Sequence, residues 1–346
     1  MIISFNPSIF LSQDAEIQDT LARILVVLMQ TNIHFIDVKS INAIFYNENS
    51  EYIFDSNAIS KRYLSPQQQI ILKDFLSKKS RINITNLHKQ HLVHIVVGLD
   101  ESNKEIHPKN LCKIITERSK VILENGINDW KFIQGICQKY SSGRTTRQSI
   151  YQLVNQAIKD GIIESENCGG VGEITKVTQR WVDDSRYKNI FQYKLMAIFD
   201  SDREEANELT RHKSKIEYFK RIKISNIDDC NYESIDLIVW HMLYKRKIEN
   251  YVPLNVLFAS LASITPTQKE NLNAKTYEEL DFLEYDEDNI GIGERQIKEQ
   301  FPKMFISSFS YRDFEAKCEH HKVFLAEANE SVSEIEQILL KIAKIL

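Results

Sequence analysis

The stretch K-L-M-A-I-F-D-S-D-R, residues 194–203, decides how the rest of the chain is read. Leu195, Met196, Ala197, Ile198 and Phe199 form an unbroken apolar run, the pattern of a strand covered on both faces in a parallel sheet. A sheet interior cannot hold an unpartnered carboxylate. Asp200 and Asp202 are therefore expected just past the strand's carboxyl end, the edge where open α/β sheets bind ligands. In an extended chain, residues two apart share a face, so both acids can aim at one cation.

Upstream, residues 120–123 read as a short apolar strand followed by E-N-G-I-N-D, residues 124–129. A helix follows, with Ile127, Trp130, Ile133, Ile136 and Tyr140 spaced for one buried face and Asn128 or Asp129 as its N-cap. Strand, acid, glycine turn and helix place Glu124 at a strand's carboxyl end, as Asp200 is at another. Then come the polar loop 141–147 (SSGRTTR), a helix over 149–159, a strand starting at 162–164 and the turn N-C-G-G-V-G, residues 167–172. Those glycines either close a tight turn or let a phosphate approach the backbone and the next helix, 173–182. Downstream, 204–211 continues helical. I-D-L-I-V-W, residues 235–240, is a fourth apolar strand and runs into H-M-L-Y-K-R-K-I-E-N-Y, residues 241–251. Helical crossovers between strands over residues 119–240 imply a parallel sheet built of right-handed units.

The chain has 346 residues, enough for two or three domains, and its 42% hydrophobic and 27% charged residues suit a soluble globular protein. No apolar run has the length of a membrane span, and M-I-I-S-F-N-P-S-I-F lacks the basic start of a signal peptide. Five scattered cysteines without a CxxC pair suggest neither a disulfide framework nor a zinc site, and the expected compartment is the cytoplasm. His88, His91 and His94 recur every third residue, which in a strand puts neighbours on opposite faces, so no zinc site is expected there either.

Three regions follow from these patterns. Residues 1–110 read as a mixed α/β domain, with a helix over 16–29, strands over 33–38, 41–46, 81–84 and 91–98, and a helix over 66–76 capped by Ser65. Residues 111–255 hold the four-strand core. Residues 256–346 read as mainly helical. They end in an amphipathic helix whose Ile335, Ile338, Leu339, Ile342 and Leu346 either pack internally or form a homodimer face.

Acids follow the first core strand (Glu124, Asp129), the third (Asp200, Asp202) and the fourth (Glu249). Clustered carboxylates repel, and a divalent cation offsets that repulsion; oxygen ligands in this number suit Mg²⁺ or Mn²⁺. A pair of such ions can hold a scissile phosphate and activate water. Lys245 and Lys247, with Arg203 behind them, are candidates to offset negative charge developing in a transition state. The net charge of −4 excludes a general basic coat, so any nucleic acid would bind local patches. The basic run 211–223 supplies Arg211, Lys213 and Lys215 as candidate contacts, joined by Arg203 and by Arg144 of the polar loop.

The order Glu, glycine turn, helix, glycine-rich turn and Asp-x-Asp resembles the Toprim pattern of topoisomerases, primases, recombination-repair proteins and OLD-type nucleases. K-R-K-I-E-N-Y, residues 245–251, is similar to the element after the last core strand in OLD-like Toprim nucleases, including small effectors of anti-phage defence. The resemblance covers roughly residues 118–255. It implies a Rossmann-like four-strand Toprim core and a metal-dependent endonuclease cutting DNA or RNA. Glu124 would be general base or metal ligand, Asp200 and Asp202 metal ligands, and Glu249 a further acid. The family's first motif has glycine directly after its glutamate and an acid four residues on. Here Asn125 intervenes, Asn128 holds that place, and a turn one residue longer would bring in Asp129. Many such proteins act beside an ATPase. No GxxxxGK[ST] motif occurs here, so a separate ABC-type ATPase subunit is the implied partner. Two other classes fit less of the pattern: a non-catalytic Toprim nucleic-acid-binding module, and a glycosyltransferase using Asp-x-Asp.

Overall fold

The apolar run at 195–199 forms a strand because nothing in it can face water. It lies inside a four-stranded parallel sheet. The computed structural model describes residues 1–31, 33–81, 92–143, 145–226, 230–286, 290–307, 310–325 and 329–346. The chain forms two compact units, Met1–Arg118 with Ser185–Ile190 and Leu346, and Ser119–Asp184 with Phe191–Ile345.

The first unit holds a parallel sheet of β1 (Ile2–Phe5), β2 (Phe35–Ile36) and β3 (His94–Val97), in the order β2-β1-β3. Its helices are α1 (Ala15–Thr31), α2 (Ala58–Tyr63), α3 (Pro66–Lys79) and α4 (Pro108–Thr116). Helix α3 starts where its sequence signals place it, with a reciprocal capping box between Ser65 and Gln68 and Pro66 in the first turn. Residues 41–46 do not form the expected strand; most of them belong to a 3₁₀ turn, Val38–Ile44. The Asp37 side chain accepts the Lys39 N–H at 3.1 Å, and this local bond commits the backbone to a turn. The expected strand at 81–84, His88 and His91 lie almost wholly outside the described residues.

The second unit is built on β4 (Ser119–Leu123), β5 (Ile163–Asn167), β6 (Leu195–Phe199) and β7 (Val239–Met242), all parallel in the order β5-β4-β6-β7. Helices α5 (Asn128–Ser142), α6 (Gln148–Lys159), α7 (Ile174–Asp183) and α8 (Lys213–Lys220) lie between these strands in the chain. Every residue of β4 and β6 is buried, as a central strand with both faces covered requires. Strand β7 begins four residues later than 235: Ile235 is 86% exposed, and Asp236 accepts from Trp240 Nε1 at 2.8 Å instead of joining a ladder. Residues 204–211 form turns, not the expected helix. Glu208 folds back to accept the Glu204 N–H at 2.6 Å, and the helix starts only at α8.

Beyond the sheet come α9 (Leu254–Ser260), α10 (Pro266–Ala274), α11 (Tyr277–Asp281), α12 (Glu294–Ile306), α13 (Tyr311–Lys317), an antiparallel hairpin of β8 (Lys322–Leu325) and β9 (Glu330–Ser333), and α14 (Glu334–Lys344). The hairpin shows that residues 256–346 are not helical throughout. Ile335, Ile338, Leu339 and Ile342 of α14 are buried within this unit against β7 and α6, so this stripe is not an open dimer face. On α5 the buried face is Phe132, Ile133, Ile136 and Tyr140, whereas Ile127 is 71% exposed. The Phe132 ring meets Phe305 of α12 at 5.0 Å and Tyr251 at 5.4 Å. This aromatic contact fixes the 3₁₀ turn Ile248–Tyr251, which follows β7 and carries Glu249, against α5. Among the described residues no helix is long and apolar enough to cross a membrane.

Candidate functional site

Glu124 and Asp200 are the first residues past β4 and β6. Those strands pair in parallel, with Ile122 opposite Ala197, so both carboxylates leave the sheet at the same edge. The Asp200 N–H donates to Glu124 Oε1 at 3.1 Å and joins the two strand ends directly. Asp200 Oδ1 in turn accepts the Ile248 N–H at 3.2 Å, which brings the turn carrying Glu249 to the same edge.

The turn after β4 explains how Asp129 arrives. Asn125 Oδ1 accepts the N–H groups of Ile127 and Asn128, each at 3.1 Å, so Asn125 satisfies the helix start in place of Asn128 or Asp129. Asp129 Oδ2 then accepts the Asn125 N–H at 2.8 Å, folding its carboxylate back over the turn. Asn167 at the end of β5 accepts the Gly126 N–H at 3.1 Å, and a Cβ on Gly126 would meet the Asn167 Cβ at 2.7 Å. Only glycine permits that approach. Gly169 and Gly170 have φ of 75° and 133°, so their part in the glycine-rich turn is conformational.

The acids feel one another. Burial pushes Glu124 up to about 7; the Asp200 N–H opposes this, and the charges of Asp202 and Asp129 add to it. Burial likewise pushes Asp129 up to about 7, with Glu249 adding and the Asn125 N–H opposing. Asp200 is held well above the carboxylate range by burial and then by Glu124, Glu249, Asp129 and Asp202. Burial raises Glu249 against the pull of Lys247. Three segments of chain thus bring Glu124, Asp129, Asp200, Asp202 and Glu249 within one another's fields.

Asp202 is the exception, and it departs from the extended geometry expected of it. Its φ of 49° turns the chain, and its Oδ2 lies 3.0 Å from His212 Nε2, a bond that lowers its pKa. Lys215 Nζ lies 2.7 Å from His212 Nδ1. Lysine only donates, so this network assigns His212 a protonated Nε2 facing Asp202. Burial lowers Lys215, while Glu124 and Asp202 act to raise it. Lys215 and His212 are therefore the basic groups built into the acid cluster, three residues apart at the start of α8. Reading the run 211–223 as one basic patch concealed this.

The other expected residues are placed as follows. Lys245 is 1% exposed and pairs with Asp281; among the described residues it makes no ion pair with Glu249. Lys247 donates to both oxygens of Glu284 at 2.7 Å, yet its field reaches Glu249 and Asp202. Arg203 is buried and donates to the carbonyls of Ala206 and Tyr244. Arg211 is exposed and paired with Glu204; Lys213 opens α8, partly exposed. Arg144 lies outside the described residues.

No family model, curated protein or solved structure matches the chain. The site is thus read from its own chemistry. The donor set is all oxygen and carries more negative charge than the nearby Lys215 and Lys247 offset, which fits a hard divalent cation. Among the described residues, however, no three His, Cys, Asp or Glu side chains form a ready-made cage. Oxygens of Glu124, Asp129 and Asp200 accept backbone N–H bonds instead, and these would have to be exchanged on binding.

Proposed function

We propose that the chain is a Toprim-type nuclease of the OLD-like kind, hydrolysing phosphodiester bonds in DNA or RNA with Mg²⁺ or Mn²⁺. The observation that supports this is the convergence of Glu124, Asp129, Asp200, Asp202 and Glu249 at the carboxyl edge of a parallel sheet, where burial, with mutual repulsion added, raises Glu124 and Asp129 to about 7. Glu124, Asp200 and Asp202 would hold a pair of cations, with Asp129 and Glu249 flanking them. The bound cations would polarise the phosphate and lower the pKa of an attacking water. If Asp200 and Asp202 hold the cations without it, Glu124 at the same edge would be the carboxylate placed to accept that water's proton. Lys215, held by His212, supplies positive charge for the phosphate oxygens as they gain negative charge; Lys247 is the weaker candidate because Glu284 already engages it.

In this reading the chain works in the cytoplasm as an effector of anti-phage defence beside a separate ABC-type ATPase, which restrains or triggers it. The test is cleavage of labelled DNA and RNA by the full chain with Mn²⁺, alone and with the product of the adjacent gene. Cutting by wild type that disappears in Asp200→Asn while nucleic-acid binding persists supports the reading. Absence of cutting under every condition defeats it. A second reading is a non-catalytic Toprim nucleic-acid-binding or recombination-mediator-like module, which needs no ready-made three-ligand cage, and none is formed among the described residues. It predicts nucleic-acid binding that is indifferent to Mn²⁺.

A further inference from the structure

A cavity of about 230 Å³ lies beside β7, α14 and the β8–β9 hairpin, far larger than the about 10–15 Å³ a single water needs. Arg203, Lys341, Trp240, Tyr244 and His321 line it, and none of them belongs to the acid cluster. Two of the five are buried basic groups that, among the described residues, hydrogen-bond no anion. Arg203 is 4% exposed; its two terminal nitrogens donate to neutral carbonyls, Ala206 at 3.2 Å and Tyr244 at 2.8 Å, and its Nε has no partner. Among the described residues Arg203 makes no ion pair. Lys341 is 7% exposed, and its Nζ meets the neutral acceptor His241 Nδ1 at 2.9 Å. Burial and the charge of Lys344 push Lys341 down to about 7, although the charges of Glu334 and Asp236 act to raise it, so burial outweighs the nearby carboxylates.

One carboxylate, Glu334, stands in the same wall, but its oxygens are taken. They accept from His241 Nε2 at 2.9 Å, the Tyr244 N–H at 2.6 Å and the Tyr251 hydroxyl. A buried cation left without an anion is costly, and an entering anion removes that cost. A pair of cations on separate elements suits a dianion better than a single carboxylate. Part of the remaining wall is aromatic and apolar: the Tyr244 and His321 rings stack at 3.4 Å, and Met242 and Val323 also line the cavity. They offer a surface for an organic body.

We propose that this cavity binds a small organic phosphomonoester, with Arg203 and Lys341 taking the phosphate and the aromatic wall taking the body. The inference does not depend on the nuclease reading. It also gives Arg203 a role other than contacting a polymer.

The test is calorimetric titration of the full chain, at fixed ionic strength in chloride buffer, with inorganic phosphate, ribose 5-phosphate and adenosine 5′-monophosphate. The expected result is saturable one-site binding, tighter for an organic phosphate than for inorganic phosphate, and weakened by about tenfold or more in Arg203→Met and in Lys341→Met. Gln337→Trp, which fills the cavity from α14 without removing a charge, should also abolish binding, so the proposal stays testable if either cation variant fails to fold. Equal affinity for all three probes would overturn the organic-body assignment. No saturable heat with any probe, or unchanged binding in folded cation variants, would overturn the site.

Discussion

Asp200 and Glu334 are both buried carboxylates in the same unit, yet they behave oppositely. Glu334 accepts from His241, Tyr244 and Tyr251 and is held down to about 2. Asp200 accepts the Ile248 N–H, sits among four other acids and is held well above the ordinary range. Burial alone therefore does not say what a carboxylate is for. Glu334 has donors arranged for its charge and ties β7 to α14. Asp200 is held up by burial and then by the charges of the other acids, a setting that the proposed cations would relieve.

The contrast makes its largest prediction at Glu334. Glu334→Ala removes the acceptor from three donors and leaves Arg203 and Lys341 less compensated, so urea unfolding should show a loss of about 3–5 kcal/mol. If that loss is under about 1 kcal/mol, the donors are satisfied elsewhere and the comparison breaks. Asp200→Asn should do the reverse in the absence of divalent cations. Relieving like-charge repulsion should raise stability by about 1–2 kcal/mol while cation-dependent cutting disappears.

The pH dependence follows from the sign of each shift. Glu124 and Asp129 rise to about 7 on folding, above their unfolded values. Their contribution is present below about pH 4 and is lost as pH rises through about 7. Glu334 is depressed to about 2, so its contribution is present above about pH 4.5 and is lost as pH falls through about 2. His241, lowered to about 4, stays neutral when folded and loses stability as pH falls from about 6.5 to about 4. Thermal melts of wild type and Glu124→Gln share the His241 and Glu334 effects. Without divalent cation, wild type should therefore lose ground to Glu124→Gln between pH 5.5 and 8, by about 1–3 kcal/mol. Parallel curves would remove the electrostatic case for the cluster.

Lys215→Met sharpens the comparison further. It should lower cutting about 10²-fold through loss of transition-state stabilisation, with little effect on the melting temperature. The smallest effect is expected at Arg211→Ala. Its exposed pair with Glu204 should change stability by about 0–1 kcal/mol and leave the cluster's titration untouched.

Much of this was legible in the chain. The apolar residues 121–123 of β4 and 195–199 of β6 fit buried parallel strands, and an acid directly after each then emerges at the carboxyl edge. The parallel crossovers follow from helix-length segments between strands. What sequence could not show was decided by single side-chain bonds. Asn125 rather than Asn128 satisfies the start of α5. Glu208 folds back on Glu204 and ends the expected helix, and Asp37 turns 38–44 away from strand geometry. The cations were misread for the same reason. Lys245 and Arg203 are placed by partners far along the chain, Asp281 for one and the carbonyl of Tyr244 for the other, and neither partner leaves a trace in local spacing. Lys215 and His212 carried a faint signal, two basic groups three apart opening a helix, inside a run that reads equally well as a solvated face.

The most direct test of the central claim is titration of the full chain with Mn²⁺ at pH 7, following heat and proton release. The account predicts binding of a pair of ions with protons released from the acid cluster, weaker as pH falls below about 7 and lost in Asp200→Asn. Absence of Mn²⁺ binding, or binding unchanged by Asp200→Asn, would contradict it.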